Sequence, residues 1–250
     1  MNDRRPLYLL TEQRITVEFA APALRVAAAD RASTFHPLAR LSRVLSRGPV
    51  EWAGDALMAC LEAGVPVLFV GDDGRVRGLL DPARTDPAGL GEHLRCAVES
   101  PDWPERYGNW LRAQQHRLIA HLGAALGWRI ADMRPVLVRR QLDQMLLRRW
   151  QRSPQQLLAP YAPLLRASVT AELTTAGIDS AMSAGVWGGV DLTQDLVGLA
   201  TWPLRGRLLL AQRLPPDSSA EVIAHYEARL AQPMARTITR LIRYLWRIPL

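Results

Sequence analysis

The chain has 250 residues, and all 31 of its basic side chains are arginine; against 24 acidic residues they leave a formal net charge of +7. Hydrophobic residues make up 48% and charged residues 22%, an ordinary globular balance that excludes disordered, collagen-like and low-complexity chains. No run approaches the roughly 18 apolar residues that a membrane helix needs, so no membrane association is expected. The start, Met1 to Pro6, leads into no long apolar stretch and does not read as a secretory signal. The two cysteines, Cys60 and Cys96, lack a CxxC spacing and read as two buried thiols in a reducing cytoplasm rather than as a zinc site.

The first 80 residues carry strand periods. Leu7 to Leu10 is a short apolar run, and Ile15, Val17 and Phe19 alternate with polar Thr16 and Glu18, as on a half-buried strand. Leu24–Ala27 and Leu41–Leu45 predict two more strands, the second stopped by Gly48-Pro49. Ala53 to Ala63 predicts a helix with Ala53, Leu57, Cys60 and Leu61 on its apolar side and Gly64 at its end. Val65–Val70, a turn at Asp72-Asp73-Gly74 and Arg75–Leu80 predict a hairpin. The turn is too short for a calcium loop. Residues 81–87, rich in Pro and Asp, read as a linker.

Beyond the linker the period becomes helical. Helices are predicted near residues 88–99, 104–122, 134–150, 160–176, 191–201 and 219–246, the last broken at Pro233. The fold class is α+β: a small β-rich N-terminal domain over 1–80, joined by the linker 81–87 to a mostly α-helical C-terminal domain over 88–250. No internal repeat is visible.

The charge is uneven. Residues 1–133 hold 16 Arg and 16 acids, whereas residues 134–250 hold 15 Arg and 8 acids. Arg134, Arg139, Arg140, Arg148, Arg149 and Arg152 crowd one stretch with Asp143 as its single acid, and Arg236, Arg240, Arg243 and Arg247 share one helix face. A basic half of this kind attracts a polyanion, and these ten arginines are the candidate nucleic-acid contacts. The bland alternative is a solvated surface in a chain that uses Arg for every cation. Trp110, Trp128, Trp150 and Trp202 read as core, while Trp187, flanked by Gly185, Gly188 and Gly189, is the candidate for stacking on a base.

The order of several segments resembles the CRISPR spacer-integration endonuclease family, CRISPR-associated protein one. Leu41–Gly48, a helix, Gly64-Val65-Pro66-Val67-Leu68-Phe69-Val70 and Gly74-Arg75-Val76-Arg77-Gly78-Leu79-Leu80 are similar to its N-terminal domain. Glu172–Asp179 is similar to the family helix ending in "AGLD", and Gly185–Gly206 to its catalytic loop and following helix. The resemblance implies a helical catalytic domain, a homodimer, and a small ferredoxin-like adaptation subunit or other CRISPR-associated proteins as partners. It implies double-stranded DNA as substrate, spacer acquisition in antiviral defence, and magnesium or manganese as the catalytic ion.

The family's metal triad of Glu, His and Asp is altered. Asp143 stands at the Glu position, with Gln144 where the family has Gly. The loop 180–189 contains no His, and Asp195 matches the Asp. The resemblance makes Asp143, Asp191 and Asp195 the remaining catalytic and metal-ligand candidates, although Asp191 also suits a helix N-terminus. His116 and His121 are five apart, not the i,i+4 spacing of a helical metal pair. Three functions stay open: a DNA-binding subunit of a CRISPR adaptation or related complex with a weakened or lost metal site; an active, divergent metal-dependent integrase or endonuclease; and a non-catalytic structural subunit of an effector complex.

Overall fold

The structure, a computed structural model, describes residues 4–72, 76–82, 89–128, 133–178, 190–213 and 218–248. The chain divides into two compact units, Met1–Pro87 and Ala88–Leu250.

The first unit is built from two four-stranded sheets. One has the order β1 (Arg5–Leu10), β5 (Leu41–Arg47), β7 (Val67–Val70), β8 (Val76–Leu80), with β1, β5 and β7 parallel and β8 antiparallel. The other has the order β4 (Arg31–Pro37), β3 (Ala23–Ala28), β2 (Ile15–Ala20), β6 (Val50–Trp52). Strand β5 passes into β6 through Gly48-Pro49, so the predicted stop is a switch from one sheet to the other. Gly48 makes that corner at φ +93°, and a Cβ there would lie 1.8 Å from the carbonyl oxygen of Thr11, so no larger residue fits.

The alternation expected in β2 holds only in part: Val17 is fully buried and Glu18 exposed, but Phe19, expected on the buried face, is exposed, and Ile15 and Thr16 are both half-buried. Helix α1 (Gly54–Glu62) covers the core with Ala56, Ala59 and Cys60. Leu57, expected on that face, is only partly buried. Burial pushes the Cys60 thiol up to about 11, so it packs as a small hydrophobe, whereas Cys96, also expected to be buried, is exposed. Strands β4 and β6 were absent from the sequence reading. β4 shows no alternation of exposure, as suits an edge strand, and β6 has three residues.

The second unit is helical: α2 (Leu90–Val98), α3 (Trp103–Leu126), α4 (Pro135–Trp150), α5 (Pro154–Leu158), α6 (Ala162–Thr175), α7 (Leu192–Leu210), α8 (Ser219–Arg229) and α9 (Ala231–Leu245). Helix α5 was not foreseen, although Ser153 and Gln156 form a capping box at its start. Helix α7 runs well beyond the predicted end at residue 201. Pro203 removes one backbone donor from it, but Trp202, Leu204, Arg205, Leu208 and Leu209 are all buried, and their packing keeps the chain helical. The break expected at Pro233 falls at Leu230, which leaves Pro233 in the first turn of α9, where its missing N–H costs nothing.

Helix α7 lies among α3, α4, α6 and α9. Trp202 is almost fully buried, and so are Tyr161, Leu164, Leu173, Leu196, Leu199, Leu208 and Ile238. The Gly177 that ends α6 has φ +92°, and a Cβ on Gly91 would meet its carbonyl oxygen at 2.5 Å. The motif resembling "AGLD" thus closes α6 tightly against the start of α2. Among the described residues no helix is long and apolar enough to cross a membrane.

Candidate functional site

Asp191, Asp195 and Arg205 belong to one helix and have three separate environments. Asp191 caps α7, its Oδ1 accepting the backbone N–H of Gln194 at 2.8 Å. Asp195 sits in the first turn, where a negative charge suits the helix dipole. Burial nevertheless raises its pKa, the neighbouring Tyr107 hydroxyl lowers it, and the Asp191 charge raises it again. The balance is upward. Tyr107 is 2% exposed, and its hydroxyl faces Asp195 without closing a hydrogen bond of good geometry. Burial, first, and the Asp195 charge hold that phenol neutral far above its ordinary range. Tyr107 also stands in a ladder of rings, Trp103, Tyr107, Trp110 and Tyr244, with neighbouring centroids 5.4–5.7 Å apart.

Asp143 is elsewhere. It projects from α4, and its Oδ1 accepts a hydrogen bond from Nε of Arg205 at 2.7 Å. From Asp195 to Arg205 the helix rises by about 15 Å. The Arg205 side chain is 8% exposed and that of Asp143 30%. Nη1 of Arg205 also donates to the Thr201 carbonyl at 3.3 Å. One turn before Asp143, Arg139 stacks over the Trp202 ring at 5.3 Å. Burial and the Arg205 charge lower the Arg139 pKa, and Asp143 raises it. Asp143 therefore pairs with the buried Arg205 guanidinium and bears electrostatically on the half-buried one of Arg139.

A magnesium or manganese ion would need hard oxygen ligands converging on one point. Among the described residues no group of three or more His, Cys, Asp or Glu side chains does so. The structure keeps Asp191 and Asp195 together at the start of α7 and takes Asp143 to Arg205, so the three carboxylates do not fit a single ion. The loop 180–189, with Trp187, lies outside the described residues.

The predicted arginines fall on two faces. Arg139 and Arg140 line a cavity of about 660 Å³ between α3, α4 and α5, together with Arg112, Gln115, Val136 and Asp143. Arg134, Arg148 and Arg149 are exposed and Arg152 is half-buried. Arg149 donates to the Ala211 carbonyl and lies over Trp150 at 5.0 Å. Arg236, Arg240, Arg243 and Arg247 are exposed, opposite the buried Met234, Ile238, Leu241 and Leu245. Sequence reasoning missed Arg205, Tyr107 and Arg112. Arg205 and Asp143 are 62 positions apart, and no local spacing connects them. Trp110 and Trp202 are core residues, and Trp150 is half-buried with Nε1 donating to the Leu208 carbonyl at 2.9 Å.

The sequence itself aligns with no family model and with no curated protein. Solved structures do match its fold. A CAS1 protein from Thermotoga maritima superposes with a TM-score of 0.76 at 11% identity over 97% of each chain. A casposase bound to an integration product gives 0.66 at 12% identity, over 96% of this chain and 90% of that one. TtCas1 in complex with DNA gives 0.61 at 17% identity, over 96% and 92%. The chain has a divergent Cas1-like fold, as its motif order implied.

Two outcomes test this geometry. Replacing Arg205 by Met leaves Asp143 without its closest cation and should cost about 2 kcal/mol or more, read as a lower urea midpoint; Arg205→Met with unchanged stability would contradict the pairing. Because the folded state holds the Asp195 proton more tightly than the unfolded chain does, this group lowers stability as pH rises through the window above roughly 3.9. Asp195→Asn should therefore be more stable than the parent at pH 7, and the gain should vanish at pH 3.5. Urea titrations at the two pH values check the sign.

Proposed function

We propose that this protein is a DNA-binding, Cas1-like subunit of a CRISPR adaptation or CRISPR-related complex whose metal-dependent strand-transfer centre is weakened or lost. The observation that carries the reading is the 2.7 Å bond from Arg205 to Asp143. Asp143 stands where the family places a metal-ligating Glu, and here a built-in guanidinium supplies the positive charge that a metal would otherwise bring. Divalent ions in such centres polarise a phosphodiester and help a 3′-hydroxyl attack it. In this chain Arg139, Arg140 and Arg112 would instead hold phosphate by charge and by paired N–H donors. Among the described residues a metal would have only Asp191 and Asp195 at the head of α7, and one Asp191 oxygen is already used by the cap.

Support for DNA comes from two directions. The excess charge lies in the helical half, and the casposase and TtCas1 structures were solved with an integration product and with DNA. The homodimer, the small ferredoxin-like subunit and the cytoplasmic setting belong to the same reading through the family resemblance.

The test is a pair of assays on the full chain. Duplex binding should weaken steeply with salt, and Arg140→Ala and Arg148→Ala should each remove about one unit of log–log slope. Strand transfer into a repeat-containing duplex should stay at background in magnesium and in manganese. Metal-dependent transfer abolished by Asp195→Ala would instead establish the active-integrase reading. Equal affinity for duplex DNA, single-stranded RNA and heparin would remove the DNA reading.

A further inference from the structure

A second cavity, of about 250 Å³, lies between α3, α7 and α9. Arg117 and His121 reach it from α3, Arg236 and Arg240 from α9, and Leu199 and Pro203 of α7 line its apolar floor. Among the described residues no acidic one lines it. Arg236 and Arg240 are four apart on α9, the spacing at which like charges repel, and Arg117 faces them from α3. Three guanidinium groups at one cleft accumulate positive potential that no described lining residue offsets. The Arg117 side chain donates to a neutral group, the Gln114 side-chain oxygen at 3.4 Å. The Nδ1 of His121 lies 2.7 Å from the Arg117 carbonyl, which accepts its proton and leaves Nε2 as the ring's other polar atom. Arg243 and Arg247 extend the exposed basic row of α9 beyond the cleft.

We infer that this cleft binds a backbone phosphate of duplex DNA, held by Arg117, Arg236 and Arg240 with His121 beside them. Arginine forks match phosphate oxygens in pairs, and a bound phosphate relieves the repulsion among the three guanidinium groups. The apolar floor is suited to the sugar next to that phosphate. The cleft shares no lining residue with the Asp143 cavity, and α3 separates the two by presenting Arg112 to one and Arg117 to the other. DNA would thus touch the helical unit at two places, with Arg117 and His121 as contacts additional to the arginine clusters evident from the sequence. The inference rests on the DNA-binding reading, and it does not depend on the state of the metal centre.

The experiment compares the full-length protein with Arg117→Ala, Arg236→Ala and the Arg117→Ala/Arg236→Ala/Arg240→Ala variant. All three positions are exposed, and thermal unfolding confirms that each variant is folded. Duplex affinity at fixed salt should fall at least tenfold in the triple variant, with a loss of about two to three units of log–log salt slope. Inorganic phosphate should shift the His121 imidazole resonances of the parent, and the triple variant should lose that shift. If the parent binds duplex and the triple variant keeps both affinity and slope, the cleft is not a DNA contact while the DNA-binding reading stands. If the parent binds no duplex although phosphate still moves His121, the DNA reading and the phosphodiester assignment fall together. Tighter binding of single-stranded RNA than of duplex at this cleft would also overturn the assignment.

Discussion

A guanidinium buried beneath the second half of α7 can persist only if an opposite charge meets it. Arg205 is met by Asp143, and that requirement sets how α4 docks on α7. Arg139, a turn earlier on α4, is then brought over Trp202, so that its cation and that of Arg205 share one carboxylate. Because α3, α6 and α9 also pack on α7, a helix positioned by this pair positions the surfaces around it. A carboxylate engaged in this way is a poor ligand for a dication, since binding the metal would set two positive groups side by side in a partly dry site. On the proposed reading, the same chemistry that steadies the helical unit would let a Cas1-like fold keep a phosphate-holding surface with an altered reaction centre.

Helix α3 organises the charge. With 24 residues it is the longest element described, and its two sides serve different cavities. One side gives Arg112 and Gln115 to the cavity that contains Asp143, the other gives Arg117 and His121 to the cleft against α9. Its first turns supply Trp103, Tyr107 and Trp110 to the aromatic ladder, and Tyr107, an inner rung, faces Asp195. A polyanion lying along this unit could be gripped at separate points without any base being read, the usual basis of sequence-independent affinity.

Much of the fold was legible because it is written in local patterns. The alternation around Val17, the Gly64 stop after α1 and the helical periods after residue 88 need only neighbouring residues. The order of the motifs was enough to indicate the Cas1-like fold even though identity to the solved relatives is 11–17%. Strand β4 was hidden because an edge strand exposed on most positions carries no hydrophobic period. Helix α7 appeared too short because Pro203 is a local breaker that tertiary burial overrides. The site was less legible than the fold. Asp143, Asp191 and Asp195 could be picked out by type and motif, but which of them share a point in space depends on Arg205 and Tyr107, whose roles exist only once distant helices pack. Arg117 and His121 were not paired in the sequence reading, because their spacing gains meaning only when α9 brings Arg236 and Arg240 opposite.

The most direct measurement is the location of manganese in crystals soaked with the ion, read from anomalous difference density, since it reports position rather than activity. If Arg205 has taken the metal's place beside Asp143, no peak forms at Asp143 and the guanidinium remains within hydrogen-bonding distance of its carboxylate. A manganese peak joining Asp143 to Asp191 or Asp195, with Arg205 displaced, would contradict that substitution of charge and restore an intact catalytic centre.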